Sequence, residues 1–258
     1  MILQSGTLPK RILALLLVGA CGAPVVTATD AGPPSMPSTT ASASPTFPFP
    51  STSVATTAAT VTTTAPVTTT HPEFLFTVSE VSAEELGASW LEGCPVAPSA
   101  LSRVTLTHFG YDGAVRQGDL IVAAEWAEAL TSVFLTLFEA GFPIERIEPV
   151  SAYGANDDAS MAANNTSAFN CRTVAGTSRW SEHAYGRAID INPLVNPFVS
   201  GSQVEPPGGE AYLDRDPSVP GLIVDGDIVV EAFASIGWEW GGHWESVKDY
   251  QHFSATGR

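Results

Sequence analysis

Between Ala31 and Pro72 the chain carries no aspartate, glutamate, lysine or arginine, and it is built mainly of threonine, serine, alanine and proline. Such a stretch has few large apolar groups to offset the entropy of ordering it, and its prolines favour extended backbone. It cannot form a core. Residues 22–72 therefore read as a Thr/Ser/Pro/Ala-rich disordered tether, with threonine runs that are either O-glycosylated or plain spacer. Folding is confined to residues 73–258, enough for one domain of ordinary size and too few for two large ones.

What precedes the tether reads as an address. Lys10 and Arg11 stand before the apolar run Ile12 to Ala20, the order of a secretory signal over residues 1–21 and too short to span a bilayer. Its end, Leu17-Val18-Gly19-Ala20-Cys21, resembles a bacterial lipobox, which implies lipidation of Cys21; the alternative is an ordinary cleaved signal. The expected location is the outer face of the bacterial membrane or the cell wall, anchored or secreted. A formal net charge of −16 excludes a broad basic face for nucleic acid. Of the three cysteines, Cys94 and Cys171 remain in an exported domain, where a disulfide between them is expected.

Within the head, Ser82-Ala83-Glu84-Glu85 has the form of a helix start, with a short helix to about Leu91. Arg103 to His108 alternates as a half-buried strand, which turns His108 toward either core or cleft. Three- and four-residue apolar spacing predicts a scaffold helix from about Leu120 to Ala140, capped by Asp119 and stopped by Gly141 and Pro143. A strand is expected at Ile147 to Tyr153, then a long polar connection from Gly154 to Thr177. A second helix is expected from Ile228 to Ser235, capped by Asp227 and closed by Gly237.

Two segments carry chemistry: Ser181-Glu182-His183-Ala184-Tyr185-Gly186-Arg187-Ala188-Ile189-Asp190 and Asp249-Tyr250-Gln251-His252-Phe253. They supply two histidines and a carboxylate able to bind one metal, plus a further acid, Asp249, placed to act as general base beside it. The set resembles the M15-type zinc peptidases, the D-alanyl-D-alanine carboxypeptidase and L-alanyl-D-glutamate endopeptidase group, whose pattern Ser-x-His-x-x-Gly-x-Ala-x-Asp is followed far downstream by acid-x-x-His. The resemblance implies that His183, Asp190 and His252 bind Zn2+ and that Asp249 is the base. It also implies an α+β fold, a small antiparallel sheet with packed helices of the zinc D,D-peptidase (hedgehog-like) kind. The partners implied are peptidoglycan stem peptides, reached by a monomer held to the membrane through Cys21, with no nucleic acid.

Ser160 to Arg172 resembles the family segment that brings an arginine to the cleft, so Arg172 either stabilises the carbonyl oxygen as charge develops, pairs with a substrate carboxylate, or forms a surface salt bridge. Ser181 either contacts substrate or caps a turn. Tyr185 and Trp244, with Trp180 and Trp240, either line the peptide groove or belong to the core. His243 is a candidate contact near the metal or substrate, and Glu182 and Glu239 are expected on the solvated surface. Competing functions are a catalytically silent zinc-containing wall-binding module, disfavoured by Asp249, and a serine hydrolase on Ser181 and His183, which lacks a nucleophile-elbow sequence.

Overall fold

The computed structural model describes residues 72–258; the signal, Cys21 and nearly all of the tether lie outside them. Strand β1 (Phe76–Glu80) forms the edge of an antiparallel sheet ordered β1-β2-β3, in which β2 (Leu101–Phe109) and β3 (Val115–Ala123) make a nine-residue hairpin. Between β1 and β2 lies α1 (Ala83–Leu86), opened by a complete capping box. Ser82 Oγ accepts from the Glu85 N–H, and Glu85 Oε2 accepts from the Ser82 N–H. It stops short of Leu91 because Gly87 turns the backbone to φ 52°.

The expected scaffold helix begins later than its apolar spacing suggests. Asp119 to Ala123 belongs to β3, and α2 runs over Ala127–Glu139. Leu120, Ile121 and Val122 are all buried, and a short apolar run covered on both faces satisfies a strand as well as a helix. The nine-residue pairing with β2 decides the matter. Asp119 is thus no cap: its carboxylate accepts from Thr105 Oγ1 across the hairpin and lies 3.7 Å from Arg103. From Ala127 onward the helical face Leu130, Val133, Phe134, Leu137 and Phe138 is buried, and α2 packs on β2. His108 points into this core, with Nδ1 3.1 Å from the Ile144 carbonyl.

The strand expected at Ile147 to Tyr153 shrinks to β4 (Arg146–Ile147), since Pro149 lacks an N–H and a 3-10 turn follows over Val150–Tyr153. Gly154 to Thr177, expected to be structureless, is organised. It holds α3 (Asp157–Ala162), capped by Asn156, and β5 (Asn165–Thr166), parallel to β4. Its polar residues are internal braces. The buried Asn165 amide accepts from the Glu148 N–H and donates to the Glu148 carbonyl and to Ser160 Oγ.

The carboxy-terminal half builds two further antiparallel sheets. One is ordered β6-β11-β9, from β6 (Ala188–Asp190), β9 (Glu239–Trp240) and β11 (His252–Ser254). The other is ordered β10-β7-β8, from β7 (Phe198–Ser200), β8 (Gln203–Glu205) and β10 (Lys248–Asp249). Helix α4 (Ile228–Ser235) starts and stops as expected: Asp227 Oδ1 accepts from the Val229 and Val230 N–H groups. Phe233 on α4 stacks on Phe253 of β11 at 4.2 Å, which joins the sheet of β6 and β11 to the helical core. The class is α+β, with several small sheets in place of the one expected. Among the described residues no helix is long and apolar enough to cross a membrane.

Cys94 and Cys171 form the expected disulfide, 77 residues apart in sequence. Closing so long a loop restricts the unfolded chain, so Cys94→Ser/Cys171→Ser is expected to lose about 2–4 kcal/mol of stability in a urea titration.

Candidate metal centre

Antiparallel register between β6 and β11 sets Asp190 directly opposite His252. His183 arrives from a different direction, on the 3-10 turn Glu182–Tyr185, which opens with Ser181 accepting from the His183 N–H and closes at Gly186 with φ 68°. The turn lies flat against β3, where the Gly186 carbonyl accepts from the Ala123 N–H. A Cβ at Gly186 would come 2.5 Å from the Ala123 nitrogen, so both the backbone angle and the close approach require glycine there.

The three side chains converge on one point. His183 Nε2 lies 3.2 Å from His252 Nδ1 and 3.2 Å from Asp190 Oδ2, and His252 Nδ1 lies 3.1 Å from Asp190 Oδ1. The far side of each ring is engaged by an oxygen that only accepts. His183 Nδ1 donates to the Ala168 carbonyl at 2.6 Å, and His252 Nε2 donates to the Arg258 main-chain oxygen at 2.9 Å. Neutral rings held in this way turn two bare nitrogen lone pairs and a carboxylate toward one another in a buried space. Mutual repulsion there is relieved only by a positive charge. Metal–ligand bonds of about 2.0–2.1 Å in a tetrahedron imply ligand–ligand edges of roughly 3.3 Å, close to the spacings here, so the donor set fits zinc. A proton meets the same demand. Burial disfavours a charged His252, yet the hydrogen bond and charge of Asp190 outweigh it and carry the ring up to about 9. Burial likewise raises Asp190, but the two histidines more than offset it and hold its carboxyl far below the usual range.

Asp249 joins the site by a change of strand. It pairs with Phe198 on β7, and the chain then bends through Tyr250 and Gln251 before β11 begins, so that acid and histidine three residues apart line the same cleft. Arg215 stacks its guanidinium 4.2 Å above the Tyr250 ring and fastens the bend from behind. Gly241 passes so close that a Cβ would come 2.6 Å from the Asp249 carbonyl oxygen, while a Cβ at Gly242 would run into the Trp240 ring, which accounts for the glycine pair. Asp249 Oδ1 is sealed from solvent without a hydrogen-bond partner. Burial pushes its carboxyl up to about 7, a value at which an acid exchanges protons near neutrality.

The cleft has a volume of about 730 Å³. Arg172 lines it, with its guanidinium 2.7 Å from Asp157. Ser181 does two things at once, capping the His183 turn and facing the cleft. Trp244 lies on the wall with its ring centre 5.5 Å from that of His252, and Trp180 is on the wall too. Tyr185, expected as a substrate contact, does not line the cleft; its ring lies under the Arg187 guanidinium at 4.5 Å. Trp240 is core, and His243 is a surface residue 2.8 Å from Asp225 rather than a neighbour of the ligands. Glu182, expected in solvent, is half-buried on the cleft wall and paired with Arg187 at 3.1 Å.

Sequence reading missed Gln251, whose buried Oε1 has no partner, and the wall supplied by β7 and β8, including Gln203 and Glu205. Alternation around the turn Ser200-Gly201-Ser202 was the available signal for that hairpin. Asp157 at the start of α3 was missed as well.

A buried three-donor cation site with an acid beside it in an open cleft is the arrangement of a mononuclear metal hydrolase. Residues 175–255 match the family model described as D-alanyl-D-alanine carboxypeptidase, and this supports the M15-type peptidase family read from the motifs. No curated protein and no solved structure matches the chain.

Gly186→Ala forces a left-handed backbone on a residue with a Cβ and drives that atom into β3. A loss of more than about 1 kcal/mol in a urea titration is expected.

Proposed function

We propose that this protein is an exported zinc metallopeptidase that hydrolyses peptidoglycan stem peptides, D-alanyl-D-alanine carboxypeptidase-like in its action, on a head with the zinc D,D-peptidase (hedgehog-like) fold. One observation carries the reading: three lone-pair donors face one another beside a second, sealed carboxyl in the same cleft. His183, Asp190 and His252 are the ligands. Zinc held there supplies Lewis acidity, lowering the pKa of a water and polarising a carbonyl.

The chain's own groups do the rest. Asp249 takes the proton from the attacking water and returns it to the nitrogen of the leaving amine. Arg172 faces the carbonyl oxygen as negative charge grows on it, and its guanidinium stabilises that charge more than the neutral ground state. Ser181 and Trp244 hold the peptide along the wall. A silent wall-binding module has no use for Asp249, whose burial raises the cost of its ionised form. Lipidation at Cys21 and the tether over residues 22–72 would give the head a reach of roughly 40 Å into the wall on flexible-chain scaling.

The test is mass spectrometry of stem pentapeptides incubated with the zinc-loaded protein, beside Asp249→Asn and a chelator control. Release of terminal D-alanine is expected, with kcat/KM reduced by about 10²–10⁴ in Asp249→Asn at unchanged zinc content. A cut between L-alanine and D-glutamate would instead make the enzyme an endopeptidase. No cleavage by folded, zinc-loaded protein would overturn the enzymatic reading.

The base works ionised, so kcat/KM rises with pH along an acid limb. Burial, opposed by the nearby histidines and Arg172, places that limb near 7 and a neighbouring metal cation draws it lower, so its midpoint is expected between about 4 and 7 and is absent from Asp249→Asn.

A further inference from the structure

Arg172 is held at the cleft from several sides. Its N–H donates to the Asn170 carbonyl and its own carbonyl accepts from the Ser181 N–H, while the preceding residue is locked by the disulfide to Cys94. None of these contacts orients the guanidinium. That is done by one residue, Asp157, whose Oδ2 lies 2.7 Å from Arg172 Nη2. The other oxygen, Oδ1, is also engaged, accepting from the side-chain amide of the buried Asn170. Asn170 in turn donates its main-chain N–H to the carbonyl of His183. A continuous set of hydrogen bonds therefore runs from the start of α3 through Asp157 and Asn170 to the backbone of the histidine turn, with the guanidinium hung from it.

Resting on the reading of Arg172 as the group that stabilises the developing oxygen charge, we propose that Asp157 is the positioning residue for Arg172. The Asp157 carboxylate, gripped on its second oxygen by Asn170, holds one end of the guanidinium at 2.7 Å by charge and so pins that group beside the cleft that Arg172 lines. The pairing has an electrostatic use as well. A bare guanidinium lining this cleft would repel a divalent cation, and the partner carboxylate cancels that charge at longer range while leaving the near-range donors in place.

The test uses the full chain loaded with zinc, a stem pentapeptide substrate, and the variants Asp157→Asn, Asp157→Ala, Arg172→Ala and the double Asp157→Ala/Arg172→Ala. Asp157→Asn is expected to lower kcat on the order of tenfold to a hundredfold with KM within about twofold and zinc content unchanged. The double variant is expected to be no slower than Arg172→Ala alone, because Asp157 acts through the arginine. Wild-type or higher turnover in Asp157→Asn, or a further loss in the double variant, would overturn the proposal. A readout independent of turnover is the 15N NMR signal of the Arg172 guanidinium, assigned by its loss in Arg172→Lys. Slow rotation with separate Nη signals is expected in the wild type and free rotation in Asp157→Asn. Free rotation in both would sink the positioning role even if the enzyme cleaves. Separate signals lost on substitution would support that role even if the peptidase reading failed.

Discussion

Antiparallel pairing of β6 with β11 brings together residues that lie 62 positions apart, and it does so in the one register that sets a carboxylate against an imidazole. A slip of one residue would turn Asp190 and His252 to opposite faces. The register is held from below by packing: Ile189 and Phe253, the neighbours of the two ligands, are fully buried, and Phe253 stacks on Phe233. The apolar side of the small sheet thus fixes the polar side. His183 then needs only a turn seated on β3, and Gly186 seats it. The scaffold of β2, β3 and α2 touches none of the chemistry, yet it supplies the surface on which that turn rests.

The three residues that converge as a possible metal site, and the acid beside them, could be picked out in the sequence because each role demands a particular residue type. A lone pair comes from few side chains, a left-handed turn pressed on a strand comes from glycine, and α4 announced itself through Asp227 and Gly237. The scaffold was harder to read. Leu120 to Ala123 has no periodicity that separates a helix from a strand buried on both sides, and the pairing partner that decides it lies about twenty residues earlier in the chain. Gly154 to Thr177 misled for the opposite reason. Polar side chains suggest solvent, but Asn165 and Thr166 are buried because they satisfy backbone groups that no regular ladder reaches, and Asn170 because its amide binds the Asp157 carboxylate.

Tyr185 and Trp244 show where family likeness stops being a guide to placement. Both are aromatic and both sit near the motif, yet one lies under Arg187 and the other beside His252. Spacing within a turn sets the direction of a side chain only where the turn type is known. Likewise Asp157 lies 15 residues before Arg172, and only the fold of α3 against the histidine turn makes them partners. A substrate wall made of β7 and β8 belongs to the same category, being assembled by pairing with the strand that carries Asp249.

The charges of the cleft follow a common logic. The chain is acidic overall, and the cleft holds Asp157, Glu182, Asp190 and Asp249, a field that favours a cation among His183, Asp190 and His252. A peptidase also needs donors aimed at an oxygen that becomes negative, and a free arginine would supply them at the expense of the cation. Pairing Arg172 with Asp157 reconciles the two requirements: the guanidinium stays at the cleft while the carboxylate beside it offsets its charge within the wall. Asp249, the acid proposed as base, has no such partner on its sealed Oδ1, and burial pushes its carboxyl up to about 7.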